Sequence, residues 1–507
     1  MEQPAKYRTE NKRLDRMKDL DVLIAKIKDY NFKADFDLVR KAYDFAQIAH
    51  AGQQRASGEP YFVHPFNTAM ILADYKMDIS SIVVGLLHDT VEDAGVSLTE
   101  IRKEFGPEIA GLVNAVSKVS GIKLRGSSEE IFVENLRKMI LAMAKDLRAI
   151  IIKLCDRLHN MMTLQYLSEE RQKKIARETL EVYAPLAGRL GMGETEGQLE
   201  DLAFPYIYPQ EYQWLVEYSK PYFKKTEEFL EKATRVVYKA LAEEGIKAKV
   251  TFRKKHLYSL WCKLQRPEIE KDITKVYDLV AMRVLVEEVK DCYTSLGVIH
   301  SKWRPVPWIG IRDFIALPKP NGYRSIHTNV FSLHERILEI QIRTFEMHEQ
   351  AENGIAAHWF YVAEKTKKTS DVKLDKGKIF ALGEKFSWVK QLVAWQKQLI
   401  DSREFVEAIK FDAFAHRIFV FSPKGDVFDL PFGATPVDFA YAVHSDLGDQ
   451  TMGAKVNGKM VGLDFKLKSG DMVEILKKEG SKPTAGWLDF TVTNLAKRNI
   501  LKSARKI

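Results

Sequence analysis

The sequence predicts a multidomain protein: an all-α region over residues 1–195, an α/β region over 241–362 and a small β-rich module over 411–477. Three observations predict it. In the first region apolar residues recur at helical spacing and no strand-like alternation occurs. In the second, short strand-like runs are interleaved with helical patterns. In the third, two alternating segments flank a Pro-Lys-Gly-Asp turn. A chain of 507 residues also has room for about three cores, since single cores stop growing at roughly 250 residues.

Taken in order, Glu129–Ala144 and Arg171–Leu186 carry the helical periodicity of the first region. Gly52, Gly58, Pro60, Pro65, Gly95 and Gly106-Pro107 punctuate it. An aromatic-rich helical linker over 196–240 follows. Strands are expected at Lys247–Phe252, Leu279–Val286, Asp313–Ala316 and Ile337–Ile342. Residues 363–410 read as a Lys- and Thr-rich loop and a Trp-containing helix pair, a second helical linker. The last module has strands at Arg417–Phe421, Val427–Leu430 and Met472–Leu476. Residues 478–507 turn helical and basic, and read as the start of a further region in a truncated chain.

Net charge is +9, from 78 basic and 69 acidic residues, which favours polyanionic partners; ordinary solubilising charge is the competing reading. Three separated cysteines, Cys155, Cys262 and Cys292, argue against disulfides and thiolate zinc sites, and a reducing interior is expected. The N-terminus has no signal-peptide hydrophobic stretch, and no apolar run reaches the ~18 residues of a membrane span. A cytoplasmic location is the expectation.

The first chemical constellation lies on helices: His64, His88-Asp89, Glu92-Asp93 and Asp156 with Asn160. Glu92 and Asp93 stand one turn after His88 and Asp89 on the same face, and Asp156 and Asn160 share the same spacing. Imidazole and carboxylate without thiolate suit Mn2+ better than structural zinc. A bound ion of this kind activates water for phosphoester or pyrophosphate hydrolysis. A lone His-Asp pair is more often structural, but here the acids adjoin the apolar runs Ile82–Leu87 and Ile150–Leu158, where unpaired acids are costly.

The segments AHAGQQRASGEPYFVHP, GLLHDTVEDAG and IIKLCDRLHNMMTL resemble the HD-type hydrolase domain of the RelA/SpoT family. The resemblance implies that His64, His88, Asp89 and Asp156 hold Mn2+ and that Glu92 and Asp93 are the catalytic acidic pair, which members lacking hydrolysis typically lose. It further implies nucleotide contacts by Arg55, Ser57, Asn160 and Thr163. Ala56 departs from the basic residue many members carry there.

The second constellation begins at FRKKHLYSLWCKL, where Arg253, Lys254, Lys255 and His256 precede a helix bearing Ser259 and Lys263. Clustered cations at a helix N-terminus suit a triphosphate, with a solvated basic face as the alternative. Asp278 and Glu339, each tied to a predicted strand, form a plausible Mg2+ pair. Between them, Pro-Asn-Gly turns the chain and Lys319, Tyr323 and His327 offer a cation, a stacking face and an imidazole. No Walker loop exists.

This stretch resembles the nucleotidyltransferase-like synthetase domain of the same family, which transfers pyrophosphate from ATP to the 3′-hydroxyl of GDP or GTP. The resemblance implies that Arg253 and Arg283 sandwich adenine, and that Lys255 and Ser259 hold phosphates. It places Mg2+ on Asp278 and Glu339, makes Glu339 also the base, and stacks Tyr323 on guanine. Arg312, Lys319, His327 and Gln341 are implied as nucleotide contacts. Gly310-Ile311-Arg312-Asp313 stands where bifunctional members usually carry Arg-x-Lys-Asp, a departure that bears on acceptor preference and metal optimum.

FVFSPKGDVFDLPFGATPVDFAYAVHSDLG and KLKSGDMVEIL resemble a TGS domain of β-grasp fold. Its implied role is regulatory, through the ribosome and uncharged tRNA, with His444 as the RNA contact; a structural His444 is the alternative. The expected activity is thus both synthesis and hydrolysis of (p)ppGpp. A mainly hydrolytic chain with a weakened synthetase is the runner-up. Because running both together would waste ATP, the helices of 196–235 and those after 345 are expected to couple the two sites.

Overall fold

The computed structural model describes residues 16–120, 145–357 and 417–504, apart from 320, 334, 335, 469 and 479. The expected helix at Glu129–Ala144 and the linker over 363–410 lie outside the described residues. Those described fall into two units, the first reaching residue 357 and the second beginning at 417.

The first unit opens with helices α1 (Arg16–Tyr30), α2 (Phe36–Ala49), α3 (Val63–Asp74), α4 (Ile79–Leu87), α5 (Thr90–Asp93) and α6 (Leu98–Ser120). They are followed by α7 (Arg148–Met162), α8 (Glu169–Glu178) and α9 (Ala184–Arg189). Local chemistry sets their ends. The Asp35 carboxylate caps α2 by accepting from Leu38 N at 3.0 Å. Gly106, at φ +86°, and Pro107 break α6. Helices α4 and α7 run through the middle: Ser81–Leu87 and Ala149–Asp156 are all buried. A helix buried on every side must satisfy any polar side chain it carries within the protein.

Helices α10 (Gly193–Ile207) and α11 (Pro209–Glu243) lead to a five-stranded sheet. At 35 residues α11 is about 52 Å long. The strands are β1 (Ala248–Lys254), β2 (Val280–Val286), β3 (Arg312–Asp313), β4 (Ile326–Phe331) and β5 (Ile337–Thr344), in spatial order β1-β2-β5-β4-β3. Only β2 and β5 pair in parallel, and α13 (Val289–Lys302) leaves β2; α12 (Leu257–Leu264) precedes β2 and α14 (Phe345–Asn353) follows β5. Every residue of β2 is buried, as expected of a central strand covered on both faces. Leu230, Ala233, Val237 and Leu241 of α11 join Val280, Met282, Val284, Ile340 and Ile342 in one core.

The strand expected at Asp313–Ala316 is shorter and earlier. Asp313 Oδ1 accepts from both Ile315 N and Ala316 N at 2.9 Å, turning the chain and ending β3 at Asp313.

Helix α14 stops at Gly354, which has φ +54° and packs against the backbone after α9. A Cβ there would come 2.3 Å from Leu190 O and 2.4 Å from Gly191 C. Gly354→Ala is therefore expected to destabilise the first unit by more than the ~1 kcal/mol of an unfavourable φ alone, visible as a lower melting temperature.

The second unit contains a hairpin of β6 (Arg417–Phe421) and β7 (Val427–Pro431), helices α15 (Pro436–Val443) and α16 (Ser445–Asp449), and a sheet of order β10-β8-β9. Its strands are β8 (Thr451–Val456), β9 (Lys459–Val461) and β10 (Val473–Lys477). Thr435 and Asp438 form a capping box on α15. Asp438 also accepts from Thr493 N at 2.8 Å, so the chain beyond 477 stays on this module. There α17 (Asn494–Ala504) places Ala496 and Ile500 against Val437, Tyr441 and Trp487. Among the described residues no helix is long and apolar enough to cross a membrane.

Candidate functional site: a cation cluster and a polar sheet face

The helical part of the first unit brings His64, near the start of α3, to His88 and Asp89 at the end of α4 and to Asp156 in mid-α7. One ligand atom from each of His64, His88 and Asp89 lies within 4.8 Å of the others. Asp156 Oδ1 is 3.0 Å from His64 Nε2 and 3.9 Å from His88 Nε2. His88 Nδ1 is 2.9 Å from the Gly85 carbonyl, so in the neutral ring it donates and Nε2 carries the lone pair. That Nε2 is buried, makes no hydrogen bond, and sits 3.1 Å from Asp89 Oδ1. A lone pair facing a carboxylate oxygen is repulsive unless a cation lies between them. The donor set therefore fits a divalent metal ion.

Electrostatics around the cluster are tuned by burial. Asp156 is raised by burial, but Lys153, then His64 and His88, outweigh it and hold the carboxyl well below the usual range. Lys153 Nζ is 2.5 Å from Asp156 Oδ2, and Asn160 Nδ2 donates to Oδ1 at 2.6 Å. Burial drives His64 and, more strongly, His159 down from the usual histidine value. Glu92 is pushed up to about 7, first by burial and then by the charges of Asp89 and Asp93, against the pull of Lys153. A carboxyl poised near neutrality suits proton transfer. Its neighbour Asp93 accepts from the Tyr61 hydroxyl at 2.7 Å.

Arg55 and Asn160 are brought together at 2.9 Å beside these ligands. Ser57 and Thr163 are not in hydrogen-bond contact with the cluster: Ser57 Oγ donates to Glu59, and Thr163 Oγ1 to the His159 carbonyl. Lys153, Tyr61 and His159 received no role from the sequence. The signal for His159 was its i+3 spacing from Asp156, which puts both on one helix face.

In the sheet, strand register alone aligns the second group. Arg312 of β3 is opposite His327 of β4, which is opposite Gln341 of β5, which is opposite Arg283 of β2. Cross-strand partners share a face, so four predicted residues form one row. Glu339 is two residues from Gln341 and Arg253 two from Thr251, the partner of Arg283, so both point to that same face. Glu339 Oε2 is paired with Arg312 at 3.1 Å, its Oε1 is 3.4 Å from His327 Nδ1, and Gln341 donates to Oε1 at 3.0 Å. Burial raises this carboxyl, but His327, Gln341 and Arg312 outweigh it and hold it at about 2. Tyr323 Oη lies 2.7 Å from His327 Nε2, and the Lys319 ammonium sits 5.0 Å from the centre of the Tyr323 ring.

Asp278, just ahead of β2, is bracketed by Lys255 at 2.9 Å and Lys263 at 2.6 Å. These two cations hold its carboxyl low despite burial. Arg283 is pushed down to about 10 by burial and shares Glu352 with Arg343, at 3.0 and 3.1 Å. The two acids of the predicted Mg2+ pair are thus each neutralised by cations of their own.

Helix α10 adds carboxylates that the sequence did not single out. Glu200 accepts from Ser259 Oγ at 3.2 Å, and Asp201 Oδ2 is 2.9 Å from His256 Nδ1. Burial and the Glu200 charge raise Glu196 to about 8, while Glu200 rises to about 7. A carboxyl that titrates higher folded than unfolded costs stability above its unfolded value near 4.5, increasingly up to its folded value. Glu196→Gln should therefore raise the melting temperature at pH 9, with the gain shrinking as pH falls toward 4.5. Thermal melts across that range check it.

In the second unit, His444 is exposed at the head of α16, its Nδ1 accepting from Asp446 N at 3.2 Å.

Residues 42–193 match the HD domain, 252–366 the region found in RelA / SpoT proteins, and 418–477 the TGS domain. A GTP pyrophosphokinase of Myxococcus xanthus is 46% identical over 94% of this chain and 61% of its own length. A guanosine-3′,5′-bis(diphosphate) 3′-pyrophosphohydrolase of Aquifex aeolicus is 44% identical over 92% of this chain and 64% of its own. The bifunctional (p)ppGpp synthase/hydrolase SpoT of Escherichia coli is 41% identical over 92% and 65%. The chain thus spans somewhat under two thirds of the length of each. With an HD domain, the region found in RelA / SpoT proteins and a TGS domain in this order, the chain belongs to the RelA/SpoT family.

Proposed function

We propose that this chain is a cytoplasmic, bifunctional alarmone enzyme. It transfers pyrophosphate from ATP to the 3′-hydroxyl of GDP or GTP, and it hydrolyses the (p)ppGpp so formed to GDP or GTP and pyrophosphate. The observation that carries the reading is that one chain holds two separate acid-centred sites: the His64–His88–Asp89–Asp156 cluster and the Glu339 row of the sheet. The names of the relatives, synthases and hydrolases both, support it.

At the first site His64, His88, Asp89 and Asp156 would hold Mn2+, which when bound activates water and polarises phosphoryl oxygen. Arg55 and Asn160 orient the nucleotide. Glu92, near neutrality, moves the proton of the attacking water, and Asp93 is held for it by Tyr61. At the second, Mg2+ on Asp278 and Glu339 would neutralise the polyphosphate of ATP. Arg253 and Arg283 stack on adenine, Lys255 and Ser259 hold phosphates, and Tyr323 stacks on guanine, with Arg312, Lys319, His327 and Gln341 around it. The 3′-oxygen attacks the β-phosphorus of ATP, AMP leaves with the α–β bridging oxygen, and Glu339 takes the hydroxyl proton. A carboxylate held near 2 is a weak base, so substrate must draw Arg312 and His327 off Glu339 before it acts.

That requirement favours the second reading, a hydrolase with weakened synthesis, because Arg312 pairs directly with the base. Incubation with ATP and GDP over a range of Mg2+ separates the two: guanosine tetraphosphate at a sustained rate supports bifunctionality, and none at any Mg2+ level supports the second. Through the exposed His444, the TGS module would meet the ribosome and uncharged tRNA. Coupling of the sites would run through α10, which contacts both sides: Tyr75 with Thr195, and His256 with Asp201.

A further inference from the structure

Among the described residues, one buried side chain beside the cation cluster has no part in the reaction so far. His159, on α7, turns its Nδ1 to within 2.8 Å of His64 Nδ1, and the two rings lie 5.0 Å apart. His64 directs its other nitrogen, Nε2, at Asp156 and Asp89, at 3.0 and 3.4 Å. To offer a lone pair there, the neutral ring must carry its proton on Nδ1. A buried N–H of this kind needs an acceptor, and His159 Nδ1 is in place. His159 supplies that acceptor only as the neutral ring protonated on Nε2. The Arg55 guanidinium, 3.4 Å from the same Nδ1, is compatible with a lone pair there and not with a proton.

We propose that His159 is the positioning residue that fixes the tautomer and orientation of His64, making Nε2 the ligand atom. The two histidine ligands are then set in parallel ways: His88 by a backbone carbonyl, that of Gly85, and His64 by a side chain from the helix that also supplies Asp156. Such outer partners commonly contribute ten- to a hundred-fold in metal affinity. The inference rests on the reading of this cluster as a divalent-cation site.

The test compares His159→Leu, which removes the acceptor, with His159→Asn, whose amide oxygen takes the place of Nδ1 on a smaller side chain. Free Mn2+ is measured by electron paramagnetic resonance in titrations of the full chain, with Asp89→Ala giving the background from other Mn2+ sites. His159→Leu should bind Mn2+ at this site at least about ten-fold more weakly than the parent, and His159→Asn within about three-fold of it. Equal affinity of His159→Leu and parent overturns the inference, as does an Asn variant as weak as Leu. Should Leu fail to fold, as judged by circular dichroism, His159→Met takes its place. A parent that binds no more Mn2+ than Asp89→Ala would instead overturn the cation site itself.

Discussion

Glu339→Gln is expected to lower alarmone synthesis by about a hundred- to ten-thousand-fold while hydrolysis continues. General bases contribute on that scale, and glutamine keeps an oxygen for the cation but cannot take the hydroxyl proton. The surroundings sharpen the expectation. Arg312, His327 and Gln341 all converge on this carboxylate, so the substitution changes its charge without emptying a cavity. Synthesis from ATP and GDP, followed together with ATP affinity, checks the assignment. A Gln variant that synthesises at full rate removes Glu339 from the chemistry.

The second large effect is expected at Asp156. Its two carboxylate oxygens serve different neighbours, Oδ1 facing His64 and Oδ2 the Lys153 ammonium. Asp156→Ala should abolish Mn2+-dependent hydrolysis. It should also destabilise the helical region by about 3–5 kcal/mol, because Lys153, 8% exposed, would keep its charge in the interior without this carboxylate. Adding Lys153→Met to Asp156→Ala should restore most of the stability and none of the hydrolysis. Hydrogen exchange in α3, α4 and α7 reads the first quantity, and release of pyrophosphate from guanosine tetraphosphate the second. Were the double variant to regain hydrolysis, Asp156 would not be a ligand.

The candidate sites were legible to different depths. His64, His88, Asp89 and Asp156 could be nominated because acids and imidazoles stood next to apolar helices, where they need partners. What those partners are was not legible. Lys153 reads as one more basic residue in IIKLCDRLHN until α7 is seen to be buried on nearly every face. The sheet site was nominated piecemeal, from a basic cluster, two acids and a turn. That Arg312, His327, Gln341 and Arg283 form one row depends on register among β3, β4, β5 and β2, and on a parallel pair between strands far apart in the chain. The strand expected at Asp313–Ala316 went astray because a side-chain turn at Asp313 competes with the ladder, and propensity does not register that competition.

By itself the sequence determined the succession of a helical region, an α/β region and a β-rich module, because hydrophobic period is a local property of the chain. It also determined which residue types could bind cations and nucleotides. Only the tertiary structure decided the surroundings that tune those residues. Glu92 near 7 and Glu339 near 2 arise from burial and from the charges that folding sets around them, and the shared Nδ1 contact joins His64 to His159, 95 residues further along the chain. Desolvation and Coulomb terms act through space, and no spacing along the sequence carries them.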